Sequence, residues 1–476
     1  MYYIVFLYKH NTIYIIYYIL YIIYYIVEFM LISDLEELEN IIDNLTTDYE
    51  SDNDNISEEG IDSEEQQELI DTCYSLMYDY IHENPTAIAE PNFHDEMIND
   101  VYELFNAQFD SDANFVSEDD LNNAIDIAQD LFYSSVIPRR SNKTTTITLD
   151  KDCDKIRDAV SYMNSIPQHE QRTKEWYNIR FNLITASNAY KVFETESARN
   201  QLICEKCVSI PIENIENSEI KPFNVDTTLH WGQKYEPVSI MYYEKMYNTH
   251  ITDYGCIPHR YYNFLGASPD GVITDKNCSR YGRMLEIKNI INREITGIPK
   301  KEYWIQMQLQ METCNLDECD FLETRFLEYD DQTAYLNDGD FKYSANGDFK
   351  GIILYFSTDE GRPSYVYKPL DMDYNDFIAW ETHHHIQQTN LGNIWIKNIY
   401  WKLDEVSCVL VLRNQKWFND NVNKLQEIWN IILEERITGY EHRKPVKRVR
   451  KNSMDSELNE CWITLDKETG KTIINR

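Results

Sequence analysis

Two acids and one lysine lie in two short strand-like segments near the middle of the chain. Asp270 belongs to a Ser-Pro-Asp-Gly sequence, and Glu286 and Lys288 belong to a Leu-Glu-Ile-Lys sequence. Because side chains alternate along a strand, Glu286 and Lys288 are predicted to share one face while Ile287 faces the core. The Pro-Asp-Gly turn places Asp270 at the end of the neighbouring strand, beside Glu286.

These residue types can carry out metal-assisted hydrolysis of a phosphodiester. Carboxylate oxygens are hard ligands that suit Mg²⁺ or Mn²⁺, as one ion or two. Such an ion lowers the pKa of a bound water and neutralises charge on the scissile phosphate, and Lys288 would orient the attacking water. A third carboxylate, Glu236 in His-Trp-Gly-Gln-Lys-Tyr-Glu, is predicted to hold a second ion or to position a water. Pro237 leaves open whether Glu236 precedes a helix or lies at a kink.

Further polar residues could contact phosphate or DNA. Arg180 and Ser187 lie in a helical segment that starts near Trp176, although alone they would be an ordinary surface arginine and a helix N-cap. On a later helix Tyr303 and Gln306 share a face at a spacing of three residues, and Gln310 continues it, whereas Gln308 points elsewhere. This spacing favours Gln306 as the amide that faces the site.

The elements around these residues predict an α/β fold with a mixed sheet. Helices are expected over 65–81, 94–109, 117–136, 175–181, 187–193, 237–247, 303–314, 373–388 and 417–436. Strands are expected over 251–257, 263–267, 284–289, 321–329, 351–356 and 406–412.

The net charge of −37 is concentrated in the N-terminal part. No Lys or Arg occurs from His10 to Pro138, whereas residues 139–476 carry 50 acids against 43 bases. The remainder is therefore nearly neutral and can form a local basic groove. Ten scattered cysteines indicate a reducing compartment rather than secretion.

Composition divides the chain into five segments. Residues 1–29 form an apolar Tyr/Ile-rich leader that is predicted not to be part of the folded protein; a membrane anchor is the alternative. Residues 30–137 are predicted to form an acidic helical module, 138–151 a linker, 152–440 the catalytic domain and 441–476 a basic tail.

The ordered motifs resemble the lambda-exonuclease-like branch of the PD-(D/E)xK nuclease superfamily, the YqaJ viral recombinase family. They are W-x3-R-x3-ITAS, WGxxYE, SPDG, LEIK and YxxQ, and they run from Trp176 to Gln310. The resemblance implies a restriction-endonuclease-like core, with a central mixed sheet flanked by helices. Ile, Asn, Tyr and Lys, whose codons are rich in A and T, are abundant in the chain. This residue usage and the acidic extension resemble a member of the family from a giant DNA virus.

The resemblance also implies roles for individual residues. Asp270, Glu286 and the Ile287 carbonyl would bind the metal, Lys288 would be the catalytic lysine, and Glu236 would assist. The family positions that hold the 5′ phosphate of DNA correspond in this sequence to Arg180, Ser187, Ser268 and Gln306. Arg293 lies one residue nearer to Lys288 than the family arginine does. Tyr303 is the aromatic residue of the YxxQ motif.

By the same resemblance the chain would be a 5′–3′ exonuclease of double-stranded DNA. Its candidate partners are a single-strand annealing protein, a helicase and further copies of itself. No iron–sulfur cluster and no membrane are expected. It would act in the cytoplasm or viral replication compartment of an infected host, or be packaged in the virion. The alternatives are a structure-specific or nicking endonuclease and a non-catalytic DNA-binding scaffold.

Overall fold

The computed structural model describes residues 63–108, 116–146, 151–169, 173–208 and 224–444, and the backbone of 463–465 and 472–474. The predicted leader and most of the basic tail lie outside these residues. In the described part of the chain, no helix is both long enough and apolar enough to span a membrane.

A mixed seven-stranded sheet forms the centre of the fold. Its strands are β1 (Asn142–Lys143), β5 (Gly271–Val272), β6 (Met284–Ile290), β7 (Glu318–Glu328), β8 (Lys350–Ser357), β9 (Pro363–Tyr367) and β10 (Ile394–Leu412). The order is β5-β6-β7-β10-β8-β9, and β1 also pairs with β10. Strands β6 and β7 run parallel, and the other neighbours are antiparallel. The predicted mixed sheet is therefore confirmed.

A second, three-stranded sheet lies beside the first. It contains β2 (Ile184–Thr185), β3 (Ile257–Pro258) and β4 (Leu265–Ala267), in the order β2-β4-β3. The chain leaves β4, passes Asp270 and enters β5 of the main sheet. The Ser-Pro-Asp-Gly sequence is thus the crossing between two sheets. A separate hairpin joins β11 (Ile463–Leu465) to β12 (Thr472–Ile474).

Helices flank both sheets. Those before the catalytic segment are α1 (Ser63–Glu83), α2 (Phe93–Gln108), α3 (Glu118–Ser135), α4 (Cys153–Ser165), α5 (Lys174–Phe181), α6 (Ala186–Ala189) and α7 (Glu196–Cys207). Those within and after it are α8 (Thr228–Tyr247), α9 (Lys301–Cys314), α10 (Gln332–Asn337), α11 (Tyr374–Asn390) and α12 (Gln415–Thr438). Short 3-10 turns cover Ala87–Ala89, Tyr190–Phe193 and Glu441–Arg443.

Helix α8 begins nine residues before the predicted start at 237. Its N-cap is Thr227, whose hydroxyl accepts a hydrogen bond from the His230 amide at 3.1 Å. Pro237 lies inside the helix and supplies no amide hydrogen, but the packing of buried Tyr235 and Val238 keeps the helix continuous. Glu236 therefore lies within a helix rather than before one.

Two strand predictions were wrong in their extent. Residues 251–257 form only a single bridge, Thr252 to Val272, before β3. Strand β10 covers 19 residues rather than the predicted seven of 406–412, because its first half pairs with β8 and its second half with β7. Alternation of polar and apolar residues indicates which face of a strand is buried. It does not indicate that one strand pairs with two different neighbours along its length.

The predicted linker contains part of the main sheet. Within 138–151, β1 pairs with β10, and the Thr144 hydroxyl donates to Asp320 at 2.7 Å. Arg140 is buried and donates to the carbonyls of Ile88 and Ala89 at 3.1 and 2.9 Å. This segment therefore ties the N-terminal helices to the sheet. The division into an acidic helical module at 30–137, a linker at 138–151 and a catalytic domain at 152–440 stays a prediction.

Candidate active site

The face of β6 that carries Glu286 and Lys288 forms one wall of the site. Glu286 is fully buried, and its carboxylate accepts a hydrogen bond from the Lys288 ammonium. On the opposite face Leu285 and Ile287 pack into a core cluster with Tyr243 and Leu322. The predicted alternation is confirmed, and it explains why a charged pair can lie inside a sheet.

Asp270 reaches this wall from the crossing between the sheets. Its carboxylate accepts a hydrogen bond from the Ile287 amide at 2.7 Å. Pairing of Gly271 with Leu285 fixes this register. A Cβ atom on Gly271 would lie 2.0 Å from the Ile251 side chain, so a residue without a side chain allows this close approach. Asp270 therefore lies beside the Glu286 strand, as predicted, but it precedes β5 rather than ending the neighbour of β6, because the strand predicted over 263–267 belongs to the second sheet.

Two amides from α9 orient the Glu286 carboxylate. Gln306 donates to its Oε1 atom and Gln310 to its Oε2 atom, each at 2.7 Å. Gln310 also donates to the Ser268 carbonyl at 3.2 Å. Gln308 instead donates to the Leu412 carbonyl and accepts from the Asn414 amide, on the other side of the helix. The predicted shared face is confirmed, and it includes Gln310, which was not predicted as a site residue.

Crowding of buried carboxylates shifts the pKa values in the site. Burial raises the pKa of Asp270 well above its usual range, and the neighbouring Glu286 raises it further. Burial and Glu286 also raise the pKa of Glu236. Burial lowers the pKa of Lys288, but Glu286 and Asp270 raise it more, so the ammonium keeps its proton. Among the described residues, Lys288 is the cation that offsets the carboxylates of the site.

Glu236 faces the same charges from α8 without joining a tight cluster. In the described part of the chain, no group of three or more His, Cys, Asp or Glu side chains is close enough to hold a metal ion. Asp270, Glu286 and the Ile287 carbonyl supply the oxygen donors that a hard divalent ion prefers. The raised pKa of Asp270 is what such an ion would lower. Direct ligation by Glu236 stays a prediction.

Two cations, Arg180 and Lys206, lie near Cys256, the residue before β3. The Arg180 guanidinium packs on the Trp176 ring at 4.6 Å, and within the described residues no carboxylate forms an ion pair with it. Burial raises the pKa of the Cys256 thiol, whereas Arg180 and Lys206 lower it. The buried Ser268 hydroxyl has no hydrogen-bond partner among the described residues. A half-buried guanidinium and a buried ammonium of this kind suit an anion such as phosphate.

Lys206 was missed by the sequence analysis. It is buried on α7, and its ammonium donates to the Arg180 carbonyl at 2.6 Å. Burial, and then the neighbouring Arg180, lower the pKa of Lys206 to about 8. This lysine differs from an ordinary surface lysine in being buried with no carboxylate of the described residues in an ion pair with it. The sequence does not show which side chains form ion pairs.

The remaining predicted residues have different positions. Ser187 is exposed on α6, 3.4 Å from the Thr185 hydroxyl, and Thr185 rather than Ser187 is the N-cap. Arg293 pairs with Glu323 at the end of β6. Tyr303 lies between two cations, with its ring centre 5.0 Å from Lys288 and 5.6 Å from Arg293. Arg293 is therefore paired on the Lys288 side, away from Arg180.

Comparison with known proteins bears on these observations. The family model of the YqaJ-like viral recombinase domain matches residues 175–317. A protein of Acanthamoeba polyphaga mimivirus, described as uncharacterized, is 27% identical over 351 residues. The match covers 65% of this chain and 62% of that relative, so the chain spans less than two thirds of its length.

Two solved structures show a partial likeness. One is LHK-Exo in complex with dAMP, at 20% identity and a TM-score of 0.32, covering 56% of this chain and 94% of that one. The other is the alkaline exonuclease LHK-Exo from Laribacter hongkongensis, at 18% identity and a TM-score of 0.30, covering 57% and 95%. TM-scores at this level do not establish a common fold for the whole chain.

The matched region contains all the motifs singled out above. It begins just before Trp176 and ends after Gln310, and it includes Asp270, Glu286 and Lys288. The match to the YqaJ-like viral recombinase domain therefore falls on the segment that carries the candidate site residues.

Proposed function

We propose that this chain is a metal-dependent deoxyribonuclease that digests double-stranded DNA from its ends in the 5′ to 3′ direction. The observation that supports this most directly is the convergence of Asp270, Glu286 and Lys288 at the junction of β5 and β6. The LHK-Exo structures are described as an alkaline exonuclease, and this description agrees with the proposed activity.

The donor set fits Mg²⁺ or Mn²⁺. Asp270, Glu286 and the Ile287 carbonyl would hold the ion, and Glu236 would act through a water or a second ion. When bound, the ion supplies charge neutralisation at the scissile phosphate and lowers the pKa of the attacking water. The prediction that the chain binds no iron–sulfur cluster remains a prediction.

The protein's own residues orient the reaction. Lys288 remains protonated at neutral pH because of Glu286 and Asp270, so it can donate to a phosphate oxygen or to the attacking water. Gln306 and Gln310 hold the Glu286 carboxylate at both oxygens, which prevents it from rotating. Preorganised donors and acceptors of this kind need no rearrangement during the reaction.

Recognition of a DNA end is assigned to the Arg180 side of the site. Arg180 and Ser268 would bind the 5′ phosphate, with Ser187 and Gln306 at its edge. An end phosphate held there would place the first phosphodiester near Asp270 and Glu286. This arrangement would favour removal of nucleotides from the 5′ end.

The biological setting is proposed from the mimivirus relative. The enzyme would act in the cytoplasm or the viral replication compartment of an infected host, in recombination, repair or degradation of viral DNA. A single-strand annealing protein, a helicase and further copies of the chain remain the candidate partners, and the virion remains an alternative location.

The decisive test is the variant Lys288→Gln. We expect nucleotide release from end-labelled linear duplex with Mg²⁺ or Mn²⁺ to fall at least about 100-fold, because one preorganised donor is lost. EDTA should abolish the wild-type activity. Lys276→Ala, an exposed lysine between β5 and β6, is the matched control and should keep full activity.

Other outcomes separate the alternatives. Thermal unfolding and DNA binding are measured for each variant, so that lost activity is not confused with lost folding. Cutting of closed circular DNA by the wild type would indicate an endonuclease. A wild-type protein that binds DNA but cuts no form of it, with either metal, would indicate a scaffold.

A further inference from the structure

A second cavity opens beside the active site and has no role in the chemistry described above. Its volume is about 310 Å³. It lies between the start of α8, the end of β6 and the outer strands of the main sheet. The lining residues that matter are Trp231, Lys234, Ile291, Tyr355, Tyr365 and Lys397.

Three aromatic side chains form its walls. The rings of Tyr355 and Tyr365 lie 5.1 Å apart on neighbouring strands, and Trp231 faces them from α8. The Tyr365 hydroxyl lies 2.6 Å from the Nε2 atom of buried His230, which fixes that ring. All three rings remain partly accessible. Rigid, half-exposed rings provide flat surfaces for stacking.

The cavity is close to the catalytic residues along two elements. Trp231 precedes Glu236 by five residues on α8, a rise of about 7.5 Å. Ile291 follows Lys288 by three residues, about 10 Å along an extended chain. The Asn289 side chain donates to the Gly232 carbonyl at 2.8 Å and so holds the two elements together. A DNA strand that crosses the active site would pass the mouth of the cavity.

The charged residues of the cavity are one ion pair and two exposed side chains, Asp226 and Lys397. Lys234 pairs with Glu328, and its ammonium also lies 4.4 Å from the Trp231 ring centre. Lys397 is exposed, and no carboxylate of the described residues forms an ion pair with it. The cavity therefore offers aromatic walls inside and one cation at its rim.

We propose that this cavity binds one unstacked nucleobase of a DNA strand that enters or leaves the active site. The inference rests on the proposed nuclease function and extends it to single-stranded DNA. The base would stack against Tyr355 and Tyr365. Lys397 would contact the adjoining phosphate.

These features match those of single-strand binding sites in general. Such sites combine aromatic platforms with cations that follow the backbone, and they tolerate every base because each has a flat face. Every base also presents hydrogen-bond acceptors at its edge. A cavity of this size can enclose a base, and its neutral interior does not oppose one.

The test uses the Lys288→Gln protein, which holds DNA without cutting it. The probe is a duplex with a single-stranded extension, in which the fluorescent base 2-aminopurine replaces one base at a time. We expect the protein to quench the fluorescence at one position only. Adding Tyr355→Leu or Lys397→Ala should each remove that quenching and weaken binding about fivefold or more.

The controls keep the two proposals separable. Tyr78→Leu, which replaces a similarly exposed tyrosine on α1, should leave quenching and binding unchanged. If Tyr355→Leu and Lys397→Ala both quench and bind like the parent, the base site is wrong while the nuclease proposal stands. If the parent binds no form of DNA, the nuclease proposal fails and the base site fails with it.

Discussion

At the scale of residues, the site depends on which charges have partners. Lys288 and Glu286 pair inside the sheet, whereas half-buried Arg180 and buried Lys206 form no ion pair with a carboxylate of the described residues. Burying a cation without a partner costs free energy, and a bound anion would offset that cost. This asymmetry supports the proposed division of the site into a metal side and a phosphate side.

The phosphate side can be tested through Arg180. We expect Arg180→Met to remove the preference for 5′-phosphorylated over 5′-hydroxyl duplex ends, because a charge-assisted contact is lost. The loss should be about tenfold in the ratio of the two initial rates. Lys174→Met, an exposed position at the start of the same helix, should keep the preference. An unchanged ratio in Arg180→Met would contradict the assignment.

At the scale of elements, the small sheet is held against α12 by a histidine that must remain neutral. The His259 Nδ1 atom accepts hydrogen bonds from the Tyr261 and Tyr262 amides at 3.1 and 3.2 Å. Its ring stacks on Phe418 of α12, with the ring centres 5.9 Å apart. Burial, reinforced by Arg413, lowers the pKa of His259 to about 4.

This neutrality predicts a loss of stability in acid. The His259 ring takes up a proton near pH 6.5 in the unfolded chain and near pH 4 in the folded chain. The contribution of the neutral ring to the free energy of unfolding is therefore present above pH 6.5 and is lost as the pH falls toward 4. Its size is about 3 kcal/mol.

His259→Asn should show a smaller fall in unfolding free energy between pH 7 and 4.5 than the wild type does, measured by urea denaturation. His383→Gln, an exposed histidine, should behave like the wild type, and equal falls in all three proteins would refute the assignment.

At the scale of the whole molecule, the acidic N-terminal helices pack on the helices that flank the main sheet. The 3-10 turn Ala87–Ala89 contacts α9, the helix that carries Gln306 and Gln310. Asn421 donates to the Pro85 carbonyl at 3.1 Å, and Lys301 pairs with Glu90 at 2.6 Å. The charge of these helices is therefore fixed beside α9.

Arg140 is predicted to carry much of this attachment. Arg140→Met should lower the free energy of unfolding by about 2–4 kcal/mol, because two buried carbonyls lose their donor. The neighbouring Arg139→Met removes an exposed pair with Asp130 and a contact over the Tyr133 ring, and should cost about 1 kcal/mol or less. Calorimetric unfolding of both variants measures the difference. Similar costs for the two would show that the attachment lies elsewhere.

The sequence by itself determined the candidate site residues, most element positions and the direction in which side chains face. Alternation placed Glu286 and Lys288 on one side of β6, and helical spacing separated Gln306 from Gln308, because both patterns are local. Only the tertiary structure decided that β10 joins two partners, that Glu236 lies inside α8, that Lys206 donates to the Arg180 carbonyl, and that Tyr365 lines a cavity. Those facts depend on contacts between residues far apart in the chain, and local periodicity holds no record of such contacts.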